Sequence, residues 1–490
     1  MLKRILSVFL SVILAFCCIL PVFASEKEAV PVDAPLVIVS GFGAVPLYLH
    51  PDSPSALQVF APSAKTIVRN VSHLIVPLLR FVFTKDWIRL ADETHPYLAG
   101  IFEDSLCDAD GNSVHDVSVR TFPLSADHYP DLYLQDDRDE HGFVHTAIDA
   151  LGGENVYFFA YDWRLDPMDH ANDLHAFIES VKAQTGKDRI VLAACSMGGA
   201  ITMAYLFKYG ADDIITLLME NTAFQGISFV GKLFCGDYEA DLDTLSEYLM
   251  QFVSWPKSIK NFATKLLKHS HLTNKLMEFI LDMNDHNGER IAHEVMYPVF
   301  GNMPGMWAFV AQNEYEAAKR NALDADRNAV LIRRIDAYHY NVQQHAKDIL
   351  DQTIASGCRV FVLVNYGQYG VPVSSARLNC NDYLIDASLA SGGAVCAKIG
   401  QTLPDGYTQQ AACGHNHISP DRAIDASSCM FPEITWFVHD MGHLDYPYGS
   451  ESAQFLMWFV QADLQYTVHS DPRYPQFLQY NKQNKTLSPQ

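Results

Sequence analysis

The segment Arg189-Ile190-Val191-Leu192-Ala193-Ala194-Cys195-Ser196-Met197-Gly198-Gly199-Ala200 compresses the end of one regular element, a sharp turn and the start of another into twelve residues. The apolar run before Cys195 predicts a buried strand. Residues 197–209, rich in small and apolar side chains and closed by Gly210, predict a helix. A strand that turns into a helix this abruptly lifts its central side chain out of the sheet. The residues two before and two after it must be small, because the two backbones nearly touch there. Ala194 and Gly198 meet that need. Ala194 stands where glycine is usual, and one added methyl group is tolerable. Ser196 is therefore the candidate nucleophile, its Oγ placed at a helix N-terminus whose dipole favours developing negative charge. Cys195 is the rival by chemistry, but on such a turn it points the wrong way and reads as a small buried hydrophobe.

Outward from this turn the same rhythm continues. Leu36-Val37-Ile38-Val39 runs into Ser40-Gly41-Phe42-Gly43, a strand ended by a tight turn. Residues 156–161 predict a second strand. Asp166-Pro167 then supplies an N-cap and a proline at the first helical position, and Leu174, Phe177, Ile178 and Val181 recur at helical spacing up to Gly186. Residues 214–219 predict a fourth strand. Strands alternating with helices imply a parallel sheet covered on both faces. Residues 226–350 break the pattern with helical stretches such as 242–252 and 259–267 and no convincing strand, and read as a helical cap. Residues 359–364 resume the sheet, 433–438 predict its last strand and 450–464 a closing helix. The expected organisation is a core in two parts, 25–225 and 351–490, separated by the cap and carrying insertions at 45–150 and 367–420. Unstructured loops of that length are uncommon unless functional.

Composition narrows the function. The 490 residues are 49% hydrophobic and 19% charged, a globular balance. With 57 Asp and Glu against 35 Lys and Arg the net charge is −22, and no basic block stands out. No nucleic-acid partner is expected. Residues 1–24 read as a secretory signal: Lys3 and Arg4, an uncharged stretch over 5–23, then Val22 and Ala24 before Ser25. The expected location is secreted or in the cell envelope, with an uncleaved anchor as the alternative. Loss of the segment removes two positive charges and leaves −24. Eight cysteines remain, and Cys380, Cys396, Cys413 and Cys429 fall in a stretch rich in Gly, Ser and Asn. They could staple an irregular loop in an oxidising compartment, with free buried thiols as the alternative. His415-Asn416-His417 hints at metal ligands but lacks a clear third one, so neither a metal nor a cofactor is expected.

Five segments resemble the lecithin:cholesterol acyltransferase family, which includes lysosomal phospholipases and phospholipid:diacylglycerol acyltransferases. Residues 37–43 look like its strand and oxyanion turn, with Ser40 in place of the usual proline. Tyr161-Asp162-Trp163-Arg164-Leu165-Asp166-Pro167 is similar to its Tyr-Asp-Trp-Arg segment. Cys195-Ser196-Met197-Gly198-Gly199 matches His-Ser-Met-Gly-Gly with Cys195 replacing the histidine. Asn221 to Gly226 resembles a Gly-Thr-Pro-x-x-Gly turn, and Met303-Pro304-Gly305-Met306-Trp307 a Pro-Ser-x-Trp cap segment. The resemblance implies an α/β-hydrolase fold with a lipid-binding cap. It also implies acyl-ester cleavage through an acyl-enzyme, with transfer to water or an alcohol.

In that fold the chain order is nucleophile, acid, histidine. His443, after Gly442 and past the last predicted strand, is the expected general base; His439 abuts the strand and has little room to swing. The register of Asp421-Arg422-Ala423-Ile424-Asp425-Ala426-Ser427-Ser428 against the family's Asp-Gly-Thr-Val-Pro-x-x-Ser picks Asp421 as the acid, with Asp425 and Asp386 as alternatives. The oxyanion hole should use the backbone N–H of Met197 and that of Phe42, with Gly43 as runner-up. The apolar residues 74–83 and Trp87 suit either an interface with neutral lipid or packing under the cap. The acidic cluster of Asp136, Asp137, Asp139 and Glu140 reads as a solvated surface. The leading expectation is an exported lipid acyl hydrolase or acyltransferase. An esterase of non-lipid acyl esters and an inactive surface protein of the same fold are the competing ones.

Overall fold

The structure is a computed structural model that describes residues 34–53, 55–59, 64–130, 142–239, 282–283, 285–411 and 414–490. The expected signal segment 1–24, the helical stretches 242–252 and 259–267, the acidic cluster and Cys413 lie outside the described residues.

The apolar runs expected as strands lie in one eight-stranded sheet, while the apolar run 74–83 lies in a helix. The strands are β1 (Leu36–Val39), β2 (Val156–Phe159), β3 (Ile190–Cys195), β4 (Ile214–Glu220), β5 (Arg359–Tyr366), β6 (Thr435–His439), β7 (Phe477–Asn481) and β8 (Thr486–Pro489), in the spatial order β8-β7-β6-β5-β4-β3-β1-β2. β1 sits between β2 and β3, with Leu36 level with both Val156 and Val191. Every pairing from β2 to β7 is parallel, and only β8 runs antiparallel to its neighbour. β1 and β2 are buried along their whole length, as a parallel sheet between two helical layers requires. This is the α/β-hydrolase arrangement.

The helices follow from the same cues. α1 (Ala64–Thr84), α2 (Trp87–Ala99) and α3 (Gly142–Leu151) fill the insertion before β2, together with a small antiparallel sheet of Leu47–Leu49, Leu57–Gln58 and Val117–Val119. α4 (Pro167–Thr185) starts at Asp166, whose side chain accepts from the Met168 N–H, and ends at Gly186 with φ +67°, a left-handed cap that glycine adopts without a Cβ clash. α5 (Gly198–Tyr209) packs against α4. Among the described residues of 226–350 there is no strand. They hold α6 (Ser228–Phe234), the turn Pro304–Trp307, α7 (Tyr315–Ala322), α8 (Ala329–Tyr338) and the start of α9 (Ala346–Ala355), which crosses residue 350 and feeds β5. α10 (Glu451–Val460) is capped by Ser450. It does not close the chain: the β7–β8 hairpin follows it. Those strands are short, and β7 opens on a single apolar pair, Phe477-Leu478, so their periodicity is too brief to stand out.

One polar contact ties the first insertion to the core. Arg164 is completely buried. Its guanidinium grips the Asp162 carboxylate side-on, Nε to Oδ1 at 3.0 Å and Nη2 to Oδ2 at 2.6 Å. It also donates to the carbonyls of Ser105 (2.9 Å) and Val117 (3.1 Å) and to Ser113 Oγ (3.0 Å). A buried charge is tolerated only when paired and hydrogen-bonded in this way. Arg164→Met removes the cation while leaving the Asp162 carboxylate buried. It should lower unfolding stability by about 3–5 kcal/mol, read as a shift in the midpoint of chemical denaturation. A change below about 1 kcal/mol would contradict this account.

Candidate active site

The turn at Ser196 is as sharp as its sequence demands. Ser196 has φ +53°, a left-handed conformation that a non-glycine residue holds only when its surroundings enforce it. The enforcement is visible. The Ser196 N–H donates to the Glu220 carbonyl (3.3 Å), and its own carbonyl accepts from the N–H groups of Gly199 (3.1 Å) and Ala223 (2.9 Å). A Cβ on Gly198 would lie 2.3 Å from the Val39 carbonyl oxygen, so α5 can approach β1 only with glycine there. Ala194 is buried and its methyl is accommodated. Cys195 is not poised to react: burial, with Glu220 beside it, holds its thiol well above the ordinary range and therefore protonated.

The turn after β1 lies against Ser196. A Cβ on Gly41 would fall 2.8 Å from Ser196 Cβ and 3.4 Å from its Oγ. Ser40 accepts a hydrogen bond on its carbonyl from the Tyr161 hydroxyl at 2.7 Å, and the Phe42 ring packs on Trp163 with centroids 4.1 Å apart. The Tyr161–Arg164 segment thus fixes the loop that carries Phe42, while Met197, fully buried, caps α5 directly after Ser196. Both residues expected to donate backbone N–H groups therefore flank the serine in the chain or in space.

His443 is buried in the loop after β6, and its carboxylate partner is not Asp421. His443 Nδ1 lies 2.7 Å from Asp382 Oδ2, and the two backbones are joined by the His443 N–H to the Asp382 carbonyl at 2.8 Å. The other Asp382 oxygen accepts from the N–H groups of Leu384 (3.0 Å) and Ile385 (2.8 Å), which orients the carboxylate. Asp421 instead accepts from Ser419 Oγ (2.5 Å) and the Ala423 N–H (3.0 Å) and stands 3.5 Å from His439 Nε2. Asp425 is buried in its own turn by Ser427, Tyr407 and Gln410. Asp386 is buried under α6, taking the Ser228 N–H and the Asn379 amide. Of the carboxylates after β5, the one set against His443 is Asp382, sixteen residues past that strand and inside the second insertion, whereas Asp421, expected from the sequence, is set against His439. Its sequence cue is chain order: Asp382 is the first carboxylate after β5, whereas Asp421 rests on string similarity beyond the insertion.

A second carboxylate went unread. Glu220 ends β4 level with Cys195 and is buried. Burial raises its carboxyl above the ordinary range, against the pull of the His443 charge and of hydrogen bonds from Cys195, Tyr446 and Asn221. At His443, burial disfavours the cation, but the charge and hydrogen bond of Asp382, with Glu220 adding, outweigh it and raise the imidazole above its usual value. Because Asp382 accepts at Nδ1, the neutral ring carries its proton there and leaves Nε2 as a lone pair. Among the described residues the cysteines are free, including Cys380, two residues before Asp382, and Cys396, whose thiol is hydrogen-bonded to it.

The raised His443 value has a definite sign. The imidazolium contributes stability in full below the ordinary value of about 6.5 and loses it as pH rises through the folded value. In Asp382→Asn the burial penalty remains and the main opposing charge is gone. Imidazole NMR should therefore show the His443 midpoint above 6.5 in the wild type and displaced to lower pH in the variant. An unchanged midpoint would detach Asp382 from this role.

Comparison with known proteins bears on the central part of this site. Residues 150–268 match the family described as lecithin:cholesterol acyltransferase. No curated protein matches the chain. Among solved structures, the Tle4–Tli4 complex is similar at 13% identity, covering 70% of this chain and 76% of that one with a TM-score of 0.28. An alpha/beta hydrolase fold protein from Nakamurella multipartita is similar at 11% identity, covering 66% and 89% with a TM-score of 0.23. The resemblance to the lecithin:cholesterol acyltransferase family thus holds over the stretch that contains Tyr161 to Pro167, the Ser196 turn and β4.

Proposed function

We propose that this chain is a serine hydrolase or O-acyltransferase that cleaves acyl esters of lipids through an acyl-enzyme. The observation that carries the reading is the buried Asp382–His443 hydrogen bond, 2.7 Å long, in a fold whose β3–α5 turn presents Ser196. In this mechanism His443 Nε2 takes the Ser196 hydroxyl proton as Oγ attacks the ester carbonyl. Asp382 holds the ring in the tautomer that frees Nε2 and stabilises the imidazolium that forms. The backbone N–H groups of Met197 and Phe42 receive the oxyanion, at the positive end of α5. Collapse expels the alcohol, which takes the proton back from His443, and leaves the acyl group on Ser196. Water or a second alcohol then repeats the sequence in reverse.

Lipid as the acyl donor is supported by the family match over residues 150–268 and by the surface of α1. Leu74 and Phe81 face inward, while Val76, Leu79, Val82 and Phe83 are exposed, Phe83 at 86%, and Ile88 at the start of α2 continues the patch at 69%. No helix among the described residues is long and apolar enough to cross a membrane. We read this face as one that rests on a neutral lipid surface by shallow apolar insertion. Export of a mature chain beginning at Ser25 belongs to the same proposal and is checked by N-terminal sequencing of the native protein.

Fluorophosphonate should label the wild type and not Ser196→Ala, and fatty-acid release from phosphatidylcholine vesicles should fall at least about 10³-fold in that variant. Asp382→Ala should fall by a comparable order, whereas Asp421→Ala should stay within a few-fold. Label retained by Ser196→Ala would overturn the nucleophile, and a preference for short soluble esters over vesicles would overturn the lipid substrate. Leu79→Ser with Phe83→Ser should weaken release from vesicles about ten-fold or more while leaving hydrolysis of a soluble ester unchanged. Equal loss on both substrates would assign this face to folding instead.

A further inference from the structure

Away from the Ser196 site, three histidines and one glutamate converge where the second insertion meets the entry to β6. Glu433 lies in the turn Pro432–Ile434 that leads into β6, and its carbonyl accepts the Val468 N–H at 2.9 Å, which draws in the segment carrying His469. Around its carboxylate stand His417 Nε2 at 3.5 Å, His469 Nε2 at 3.2 Å and His415 Nδ1 at 3.8 Å. The ligand atoms of His415, His417 and Glu433 all fall within 4.8 Å of one another.

The decisive residue is His417, which is 1% exposed. Its Nδ1 is 2.6 Å from Gln476 Oε1. The Gln476 amide nitrogen donates to the carbonyls of Pro432 (2.7 Å) and Thr435 (3.2 Å), so its oxygen can only accept. His417 must therefore carry its proton on Nδ1. Its Nε2 is left as a buried lone pair with no hydrogen-bond partner, aimed at a carboxylate oxygen. Two acceptors facing each other repel, and a cation between them turns the repulsion into two bonds. A second-shell amide that orients one imidazole nitrogen and frees the other is the usual setting of a metal-bound histidine.

We propose that His417, His469, His415 and Glu433 bind one divalent transition cation of the zinc type. Imidazole and carboxylate donors suit zinc far better than calcium or magnesium. Donors about 2.0–2.1 Å from a tetrahedral ion sit roughly 3.3–3.4 Å apart, and the separations around Glu433 bracket that value. The other histidine–acid cluster, His175, Glu179 and Asp213, makes the contrast: its two carboxylates already hold the Lys182 ammonium, 2.7 Å from Glu179. His415, His417 and Glu433 form the compact part of the site, His469 approaches from the other Glu433 oxygen, and Glu433 precedes β6 whereas His443 follows it. The ion therefore has a structural role, pinning the second insertion to the entry of β6 and to the segment before β7.

The test uses the full chain, stripped with a chelator and titrated calorimetrically with zinc, calcium and magnesium chlorides. One zinc per chain should bind, with a rise in melting temperature that chelator reverses, and calcium and magnesium should not compete. Glu433→Gln and His469→Ala alter exposed side chains and should fold normally by circular dichroism, yet each should weaken zinc binding at least ten-fold. His417→Gln should do the same. Absence of stoichiometric zinc binding in the wild type would overturn the proposal and leave a proton on His417 as the bridge to Glu433. Binding undiminished in all three variants would overturn it as well, by placing the ion elsewhere.

Discussion

The molecule is organised around a steric constraint, the near-contact of two backbones where β3 becomes α5. Ser196 holds φ +53°, a conformation that costs on the order of 1–3 kcal/mol for a residue with a side chain. It is repaid by hydrogen bonds to neighbours on both sides: Glu220 and Ala223 come from the end of β4 and the turn after it, and Gly199 from α5 itself. The constraint also reaches β1, whose Val39 carbonyl sits where any side chain at residue 198 would be. The approach of α5 to β1 and the position of the Gly41 turn are therefore tied to the geometry that holds the Ser196 hydroxyl.

Around that hydroxyl, electrostatics does the sorting. His443 faces two buried carboxylates that behave differently. Asp382 is tied by two backbone N–H groups and a direct hydrogen bond to the ring. Glu220 is raised by burial and surrounded by weaker donors, among them the thiol of Cys195. The residue before Ser196, a histidine in the resembling family and a cysteine here, thus sets its thiol on the second carboxylate.

What could be read from sequence was whatever rests on local rules. The four strands from β1 to β4, the Asp166 cap, the Gly186 stop and the Ser196 turn each follow from steric or periodic requirements satisfied within a few residues. The partner of His443 did not, because Asp382 is brought to it by a fold of the second insertion, a long-range event with no local mark. Asp421 had the better local string and pairs with the other histidine, His439, so similarity led to a neighbouring pair of the same chemistry. The β7–β8 hairpin and Glu220 were missed for related reasons: one is too short for its periodicity to register, and the other is a single residue at the end of a strand that looks apolar throughout. The His415–His417 pair was seen, but its partners, Glu433 and His469, are brought to it only by the sheet.

The Arg164 guanidinium sets an order in time. It lies later in the chain than every carbonyl of the first insertion that it satisfies, Ser105 and Val117 among them. β1, the first of the described strands, likewise has both neighbours, β2 and β3, downstream. During synthesis, then, neither the first strand nor the insertion can complete its bonding until residue 164 has emerged, and β1 must wait for residue 195. The Ser105 and Val117 carbonyls and both edges of β1 thus stay open to water for as long as it takes to make the residues that cover them.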